Sequence, residues 1–576
     1  MVSGIREQLF SGKLIPASHY ASRRCAIIFR VLMNFYCPSK LPRLWLFAFL
    51  ALATLTTRAA NPAFAAGVTN GFISNFAISE ASGLVVSRQN PAVIWTHNDG
   101  TYDGYVFAIA TNGQLLAQHY VPGVFGVNME DIAVGPGPLP QFQYIYLGDI
   151  GDNFTNRASI RVFRFPEPAV YGYESNAVPT SPIVGTDEIT LRYPDGPQDC
   201  EGLMIDPRTG DLFLATKLGD SSRIYRATRA QLNSTNDITL TFMNQSSTFR
   251  SVSAADVSSD GALIATRRSN RISIWFRGAN ETVDAALAGS PDISQAPIIG
   301  TDAGELNGEA LGFEPNGTGY FTLSEGFSQP LHYFRRTDAL PAAPRVFIAP
   351  GSVWNYNDDG DAPFSDWRTA TNDLWFSSFA PFGYGGDERT TINYDLVFDK
   401  RPAAYFRKTF SASSLITSNL ALRICFNDGV AVYLNGTNIL RRNLAANATE
   451  TTRATAFNTD QRRTWFSYPV PPSLIKLGTN VLAVEVHRAD EDGAYLNFDL
   501  QLVEARVEAP ARVTTARRLG TNVVVSLTGP TGLLARVESS ADLQNWTPHR
   551  QFVLTNGATS FTNPFTPPRT FFRVAP

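Results

Sequence analysis

Five acidic residues head similar short stretches of this 576-residue chain: Glu80, Glu130, Glu201, Asp256 and Glu309. Each precedes an apolar run, a turn, and a second run that ends in polar or charged residues. Aligning the second runs on Trp95, Tyr146, Phe213, Ile264 and Phe321 places Asn98, Asp149, Thr216, Arg267 and Ser324 three positions on. One position further lie Asp99, Ile150, Lys217, Arg268 and Glu325. A scaffold that repeats while its strand ends diverge is what an asymmetric pocket needs. Solvated turns, where charge costs little, produce the same pattern. In the pocket reading His97, Asp99 and Glu325 are the acid–base candidates. Lys217 and Arg268 would hold an anionic group such as a phosphate or uronate, and Asp149 completes the ligand-binding set.

Carboxylates converging on one axis repel, so either a cation neutralises them or each accepts backbone N–H bonds from a neighbouring repeat. The repeated structural role is the expectation. The alternative is Ca2+ held by Glu130, Glu201 and Glu309, or by Asp149 and Asp152 in the Gly-kinked loop Asp149-Ile-Gly-Asp-Asn153. Nothing in the sequence requires a cofactor, and Gly-x-Ser-x-Gly, His-Glu-x-x-His and phosphate-loop motifs are absent.

The elements that position these residues are short strands. In Asp199–Arg226, Leu203–Ile205 and Leu212–Ala215 flank the turn Pro207–Asp211, and Ile224–Arg226 follows a second turn. The same meander recurs around Trp95, Tyr146, Ile264 and Phe321, which is the pattern of a radial repeat. The expected fold class is all-β: a β-propeller over 67–345 with five blades, or six if Tyr171–Tyr193 or Thr282–Thr301 forms a degenerate unit. Gly71–Ile78 is the expected closing strand.

A net charge of −3 without a basic stripe excludes a nucleic-acid partner. Of four cysteines, Cys25 and Cys37 lie in the leader, and Cys200 and Cys425 fall in different expected domains, so no disulfide framework is expected. Residues 1–65 read as a leader with a signal peptide: Leu44–Leu55 is apolar, Lys40 and Arg43 precede it, and Ala63-Phe-Ala65 offers a cleavage site. Met33 is an alternative start, and an uncut anchor is the rival to cleavage. The expected location is secreted, periplasmic or cell-surface, with no other membrane association, and the chain is expected to be a monomer.

Tyr146-Leu-Gly-Asp-Ile-Gly-Asp-Asn153 and Arg192-Tyr-Pro-Asp-Gly-Pro-Gln-Asp-Cys-Glu-Gly-Leu203 resemble an uncharacterised family of exported bacterial β-propellers. Glu80-Ala-Ser-Gly-Leu84 and Trp95-Thr-His-Asn-Asp99 are similar to that family's start. The resemblance implies a fold and no activity. The Glu-Gly followed by an Asp-rich turn also resembles β-propeller phytases and phytase-like esterases, without their dense carboxylate array.

Residues 352–505 resemble a galactose-binding-like jelly roll, on Trp354-Asn-Tyr-Asn-Asp-Asp-Gly360 and the alternating run from Leu420 to Gly436. That resemblance implies glycan binding, with Trp354, Asp358 and Asp428 as loop candidates. Asn427 replaces the family's first Asp of Asp-Asp-Gly, which puts a calcium site there in doubt. Residues 509–576 resemble a small Ig-like or fibronectin-like unit used for spacing or attachment. Two function classes fit: a secreted binding or scaffold protein recognising an extracellular glycan or anionic small molecule, and a secreted phosphoesterase or glycan-active hydrolase with its site in the propeller mouth.

Overall fold

The computed structural model describes residues 61–574 except 100–103, 172–182, 184, 298–306, 339–344, 362, 372–374, 387, 393–401, 415, 417–418, 457–463, 490–494, 506–510, 530–532, 544–545, 555–556 and 565–569. The leader through residue 60, with its apolar run and Met33, lies outside the described residues. Among the described residues the chain is all-β, built from predominantly antiparallel sheets of which none closes into a barrel.

Five sheets come first, and each begins with a strand the repeat analysis expected. Their first strands are Ala81–Val86, Asp131–Pro136, Cys200–Ile205, Ala254–Val257 and Gly308–Phe313. Their second strands are Val93–Asn98, Gln143–Asp149, Leu212–Thr216, Leu263–Arg268 and Gly319–Ser324. Each first strand neighbours the first strand of the next sheet, and the fifth returns to the first. Asp187–Arg192 is the fourth strand of the second sheet, and Val283–Ala288 is a short helix before the outer strand of the fourth. Within the two segments expected to hold any sixth unit, the described strands Asp187–Arg192 and Ile293–Gln295 belong to the second and fourth sheets.

Closure uses the chain's beginning. Val68–Phe72 pairs with Pro330–Arg335 as the outer strand of the fifth sheet, a little earlier than the expected Gly71–Ile78. Phe64 continues the seam by bridging Arg336, and its ring lies 5.1 Å from that of Tyr320. Gly71 is obligatory in this seam, since a Cβ there would sit 1.8 Å from the Asn112 carbonyl oxygen.

The sheets pack on one another through apolar faces that none can cover alone. Val85, Trp95, Ile132 and Phe163 fill the gap between the first and second sheets; Met204, Phe213, Ile264 and Trp275 fill that between the third and fourth. Full burial of a Phe or Ile contributes roughly 1.5–3 kcal/mol. Polar staples fix the spacing. Asp131 accepts N–H bonds from Leu203 and Ala255 of the next two sheets, and Asp256 accepts one from Phe313. Asp206, in the turn where Gly210 takes φ 77°, receives both Arg277 nitrogens at 2.7 and 2.8 Å.

Two further sheets face each other between 346 and 504. One contains Leu420–Phe426 and Leu496–Glu504, the other Ala403–Ala412, Gly429–Leu434 and Gly478–His487. Phe406 and Phe498 meet between them at 4.3 Å. This core is continuous with that of the second and third sheets: Phe142 lies 4.8 Å from Phe466, and Trp465 donates to Asn90 at 3.1 Å. The tail forms two three-stranded sheets around Val525, Leu527, Val537 and Phe561. Cys200 and Cys425 are both buried, and they form no disulfide with one another. Among the described residues no helix is long and apolar enough to cross a membrane.

Candidate functional site

Antiparallel order brings the start of each first strand, the end of each second and the start of each third to one end of the five sheets. One backbone bond recurs there: Asp99 N–H to Glu80 O, Lys217 to Asp199 O and Glu325 to Asn307 O, at 2.7, 2.9 and 2.9 Å. Asp99, Lys217 and Glu325 thus occupy equivalent positions, as the alignment required.

The sheets gather Glu130, Glu201 and Glu309 around Lys217, with Asp99, Asp199 and Glu325 in the same electrostatic cluster. Lys217 Nζ donates to Glu201 Oε1 at 2.6 Å, while the second Glu201 oxygen is buried without a partner. Glu130 accepts from Asn128 Nδ2 at 2.7 Å. Burial and the neighbouring carboxylates push Glu130 up to about 10 and, against the opposing pull of Lys217, Glu201 up to about 8. Glu309 and Glu325 are raised for the same reasons, burial first. One lysine is thus shared by several carboxyl groups.

The other sequence candidates are elsewhere. Asp149 is fully buried, and its oxygens accept from Arg157, Arg161 and the Val127 and Asn128 amides. Asp152 accepts the Asn156 and Arg157 amides and shapes a turn. These two loop acids spend their oxygens on the protein, and among the described residues no group of three His, Cys, Asp or Glu is arranged to hold a metal. Asp256 lies further along its strand than Glu130 or Glu201 and serves as an inter-sheet staple. His97 is fully buried, bonds the Asn98 carbonyl oxygen through Nδ1, and is held neutral by burial down to about 4. Its Nε2 faces Gly83 and the Ile132 amide, which is a packed joint between the first and second sheets.

Arg268 stands with Arg250, Arg267 and Arg271 around a cavity whose lining does not include Lys217. Arg267 also bonds the Ala310 carbonyl oxygen, in the field of Glu309. In the two-sheet sandwich Trp354 is core, 1% exposed and edge-on to Phe498. Asp428 is buried at φ 57° and accepts the Ala489 amide; Asp358 is half-buried near Tyr356. Sequence reading missed Asn128, Asn307 and Asp199. Asp199 opens the stretch Asp199–Arg226 and immediately precedes Cys200-Glu201.

No family model and no curated protein matches the chain. Solved structures of the β-glucuronidase from Ruminococcus gnavus align at 10% identity and a TM-score of 0.21. The complex with N1-substituted uronic isofagomine covers 39% of this chain and 41% of that enzyme; the complex with D-glucuronic acid covers 39% and 40%. This chain therefore spans about two-fifths of that enzyme's length.

Beside the carboxyl cluster the surface is aromatic. Phe76 and Phe327 are 80% and 60% exposed, and their rings lie 6.3 Å apart. Phe327 is two residues past Glu325, and Phe76 adjoins Ala77, whose carbonyl oxygen takes the Asn98 amide.

Proposed function

We propose that the chain is an exported binding protein whose five sheets are the blades of a β-propeller and whose mouth recognises a glycan. The observation that carries this reading is the desolvated group of Glu130, Glu201 and Glu309 around Lys217. Neutral carboxyls both donate and accept, Lys217 donates, and Asn128 adds an amide, a mixture suited to sugar hydroxyls. Phe76 and Phe327 offer an apolar face to a sugar ring. The ring of first strands and the closing strand Val68–Phe72 support five blades. The sandwich at 352–505 is read as a galactose-binding-like jelly roll acting as a support, because Trp354 presents no face to a ligand.

A glycan array on the mature chain tests this, with Glu201→Gln and the Phe76→Ala/Phe327→Ala pair as controls. Binding lost by roughly tenfold or more in each supports the mouth; silence across the array rejects it. A hydrolase is the second reading, favoured by the raised carboxyl of Glu130, which is what a general acid needs near neutral pH. Turnover on a glycosidase and phosphoesterase panel, abolished by Glu130→Gln, would establish it.

Export is part of the proposal, with delivery to the periplasm, cell surface or medium. Ala63, Phe64 and Ala65 are built into the closing seam. The mature chain should accordingly begin upstream of Ala63, and N-terminal sequencing that starts at Ala66 would contradict it.

A further inference from the structure

Arg268 ends the second strand of the fourth sheet and Arg271 opens the third, so both stand on one tight hairpin. Arg250 reaches them from the segment after Thr241–Ser246, the outer strand of the third sheet. The three arginines line a cavity of about 330 Å³ whose wall also carries Arg267, Thr248, Thr266 and Ser273. Pockets for small ligands occupy about 300–1,000 Å³.

Several other guanidiniums of the five sheets have an acid. Arg157 and Arg161 share Asp149 at 2.9 and 2.6 Å, and Arg164 and Arg277 reach Asp187 and Asp206, each at 2.7 Å. Arg250, Arg268 and Arg271 make no side-chain ion pair with any described residue, and the Arg268 Nε is buried without an acceptor. Burial and repulsion from Arg271 and Arg250 lower the Arg268 pKa from its ordinary value. Three mutually repelling cations around a cavity with hydroxyls in its wall are a site awaiting an anion.

We propose that this pocket binds a tetrahedral oxyanion, a phosphate or sulfate group carried on a larger molecule. A guanidinium pairs with such a group through two parallel N–H bonds, and three forks from two sheets match several oxygens better than a single carboxylate would. The cavity has room for the moiety that bears the group. Arg267 adjoins both this cavity and Glu309, but none of the cluster's carboxyl groups lines the cavity, and the proposal does not depend on glycan binding at the cluster.

Isothermal titration of the full mature chain with inorganic phosphate, inorganic sulfate, glucose 6-phosphate and heparin tests the proposal, with sodium chloride at matched ionic strength as control. Saturable binding of phosphate or sulfate is expected, and the tighter of the sugar phosphate and the sulfated polymer identifies the source. Arg268→Ala/Arg271→Ala should weaken binding by roughly tenfold or more, while Glu201→Gln leaves it unchanged. Arg268→Lys keeps the charge but loses the fork and should fall between. The double variant should fold, since it removes repulsion; if it does not, exposed Arg250→Ala supplies the same readout. Heat of binding no greater than the chloride control, or variants that retain wild-type affinity, would overturn the site.

Discussion

Asp149 and Glu201 lie at the same end of neighbouring sheets and are treated in opposite ways. Burial works to raise Asp149, but Arg157, Arg161 and the Asn128 amide outweigh it and hold its carboxyl below the ordinary range. Glu201 has one lysine, and that lysine also faces Glu130 and Glu309. The first carboxylate is fully compensated, so nothing that arrives from solvent can improve its position. The second keeps a buried oxygen without a partner. The compensated and the under-compensated acid are thus separated by their count of donors, although both sit at strand ends of neighbouring repeats.

Removing the compensated acid should have the largest effect. Asp149→Ala leaves two guanidiniums facing a buried gap and is expected to destabilise by about 3–5 kcal/mol, read as a fall in the urea midpoint. A loss under about 1 kcal/mol would place Asp149 with Glu201 and erase the distinction.

The joint beside the acids should cost less. A Cβ on Gly83 would meet His97 Nε2 at 2.7 Å and the Ile132 amide nitrogen at 2.8 Å. Gly83→Ala is therefore expected to cost about 1–3 kcal/mol through overpacking, without altering ligand specificity. If it shifted a pH–binding profile while stability held, His97 would belong to the site instead of the scaffold.

The repeat was legible because apolar runs of period two, punctuated by Gly-Asp turns, leave few alternatives to a β-meander. The equivalence of Asp99, Lys217 and Glu325 followed from it. Direction within a strand end was not legible. Arg267 and Arg268 are adjacent and chemically identical, and both line the arginine pocket, yet Arg267 is buried and bonded to the Ala310 carbonyl oxygen while Arg268 is half-buried. The partners of Asp149 were hidden because Arg157 and Arg161 return to it across a turn whose path the sequence does not encode by periodicity. Trp354 misled for a simple reason: it lies in a strand whose buried side is fixed only when Phe498, far along the chain, packs on it.

Titration sharpens the comparison further. A carboxyl raised in the folded state stabilises most below its unfolded pKa, and that stability is lost as pH rises towards the folded value. For Glu201 the window runs from about 4.5 to about 8. His97, lowered to about 4, works in the opposite sense, adding stability between about 4 and 6.5. Between pH 6.5 and 8 the His97 contribution is complete, so the Glu201 loss stands more clearly. Wild type should lose up to about 2 kcal/mol relative to Glu201→Gln across that interval, the most that one proton can contribute there. Parallel melting curves for the two proteins from pH 6.5 to 8 would show that Glu201 is already ionised.

The smallest effect on stability belongs to Lys217→Met. The lysine is 36% exposed, so its pair with Glu201 contributes only about 0–1 kcal/mol at neutral pH. Removing it does not strand a charge as removing Asp149 does, because Glu201 answers by keeping its proton. The cost should consequently be near zero at pH 6 and appear only above about 8, where wild-type Glu201 ionises against Lys217 and the variant's carboxyl still resists. Thermal unfolding at pH 6, 7 and 8.5 reads this directly. A loss of several kcal/mol already at pH 6 would mean that Lys217 and Glu201 form a fixed ion pair like Arg157 and Asp149, and the carboxyl cluster would then be part of the scaffold. A flat response at pH 6 together with loss of glycan binding would separate the two roles, since a lysine that stabilises little and binds strongly is one whose hydrogen bonds are completed by the ligand.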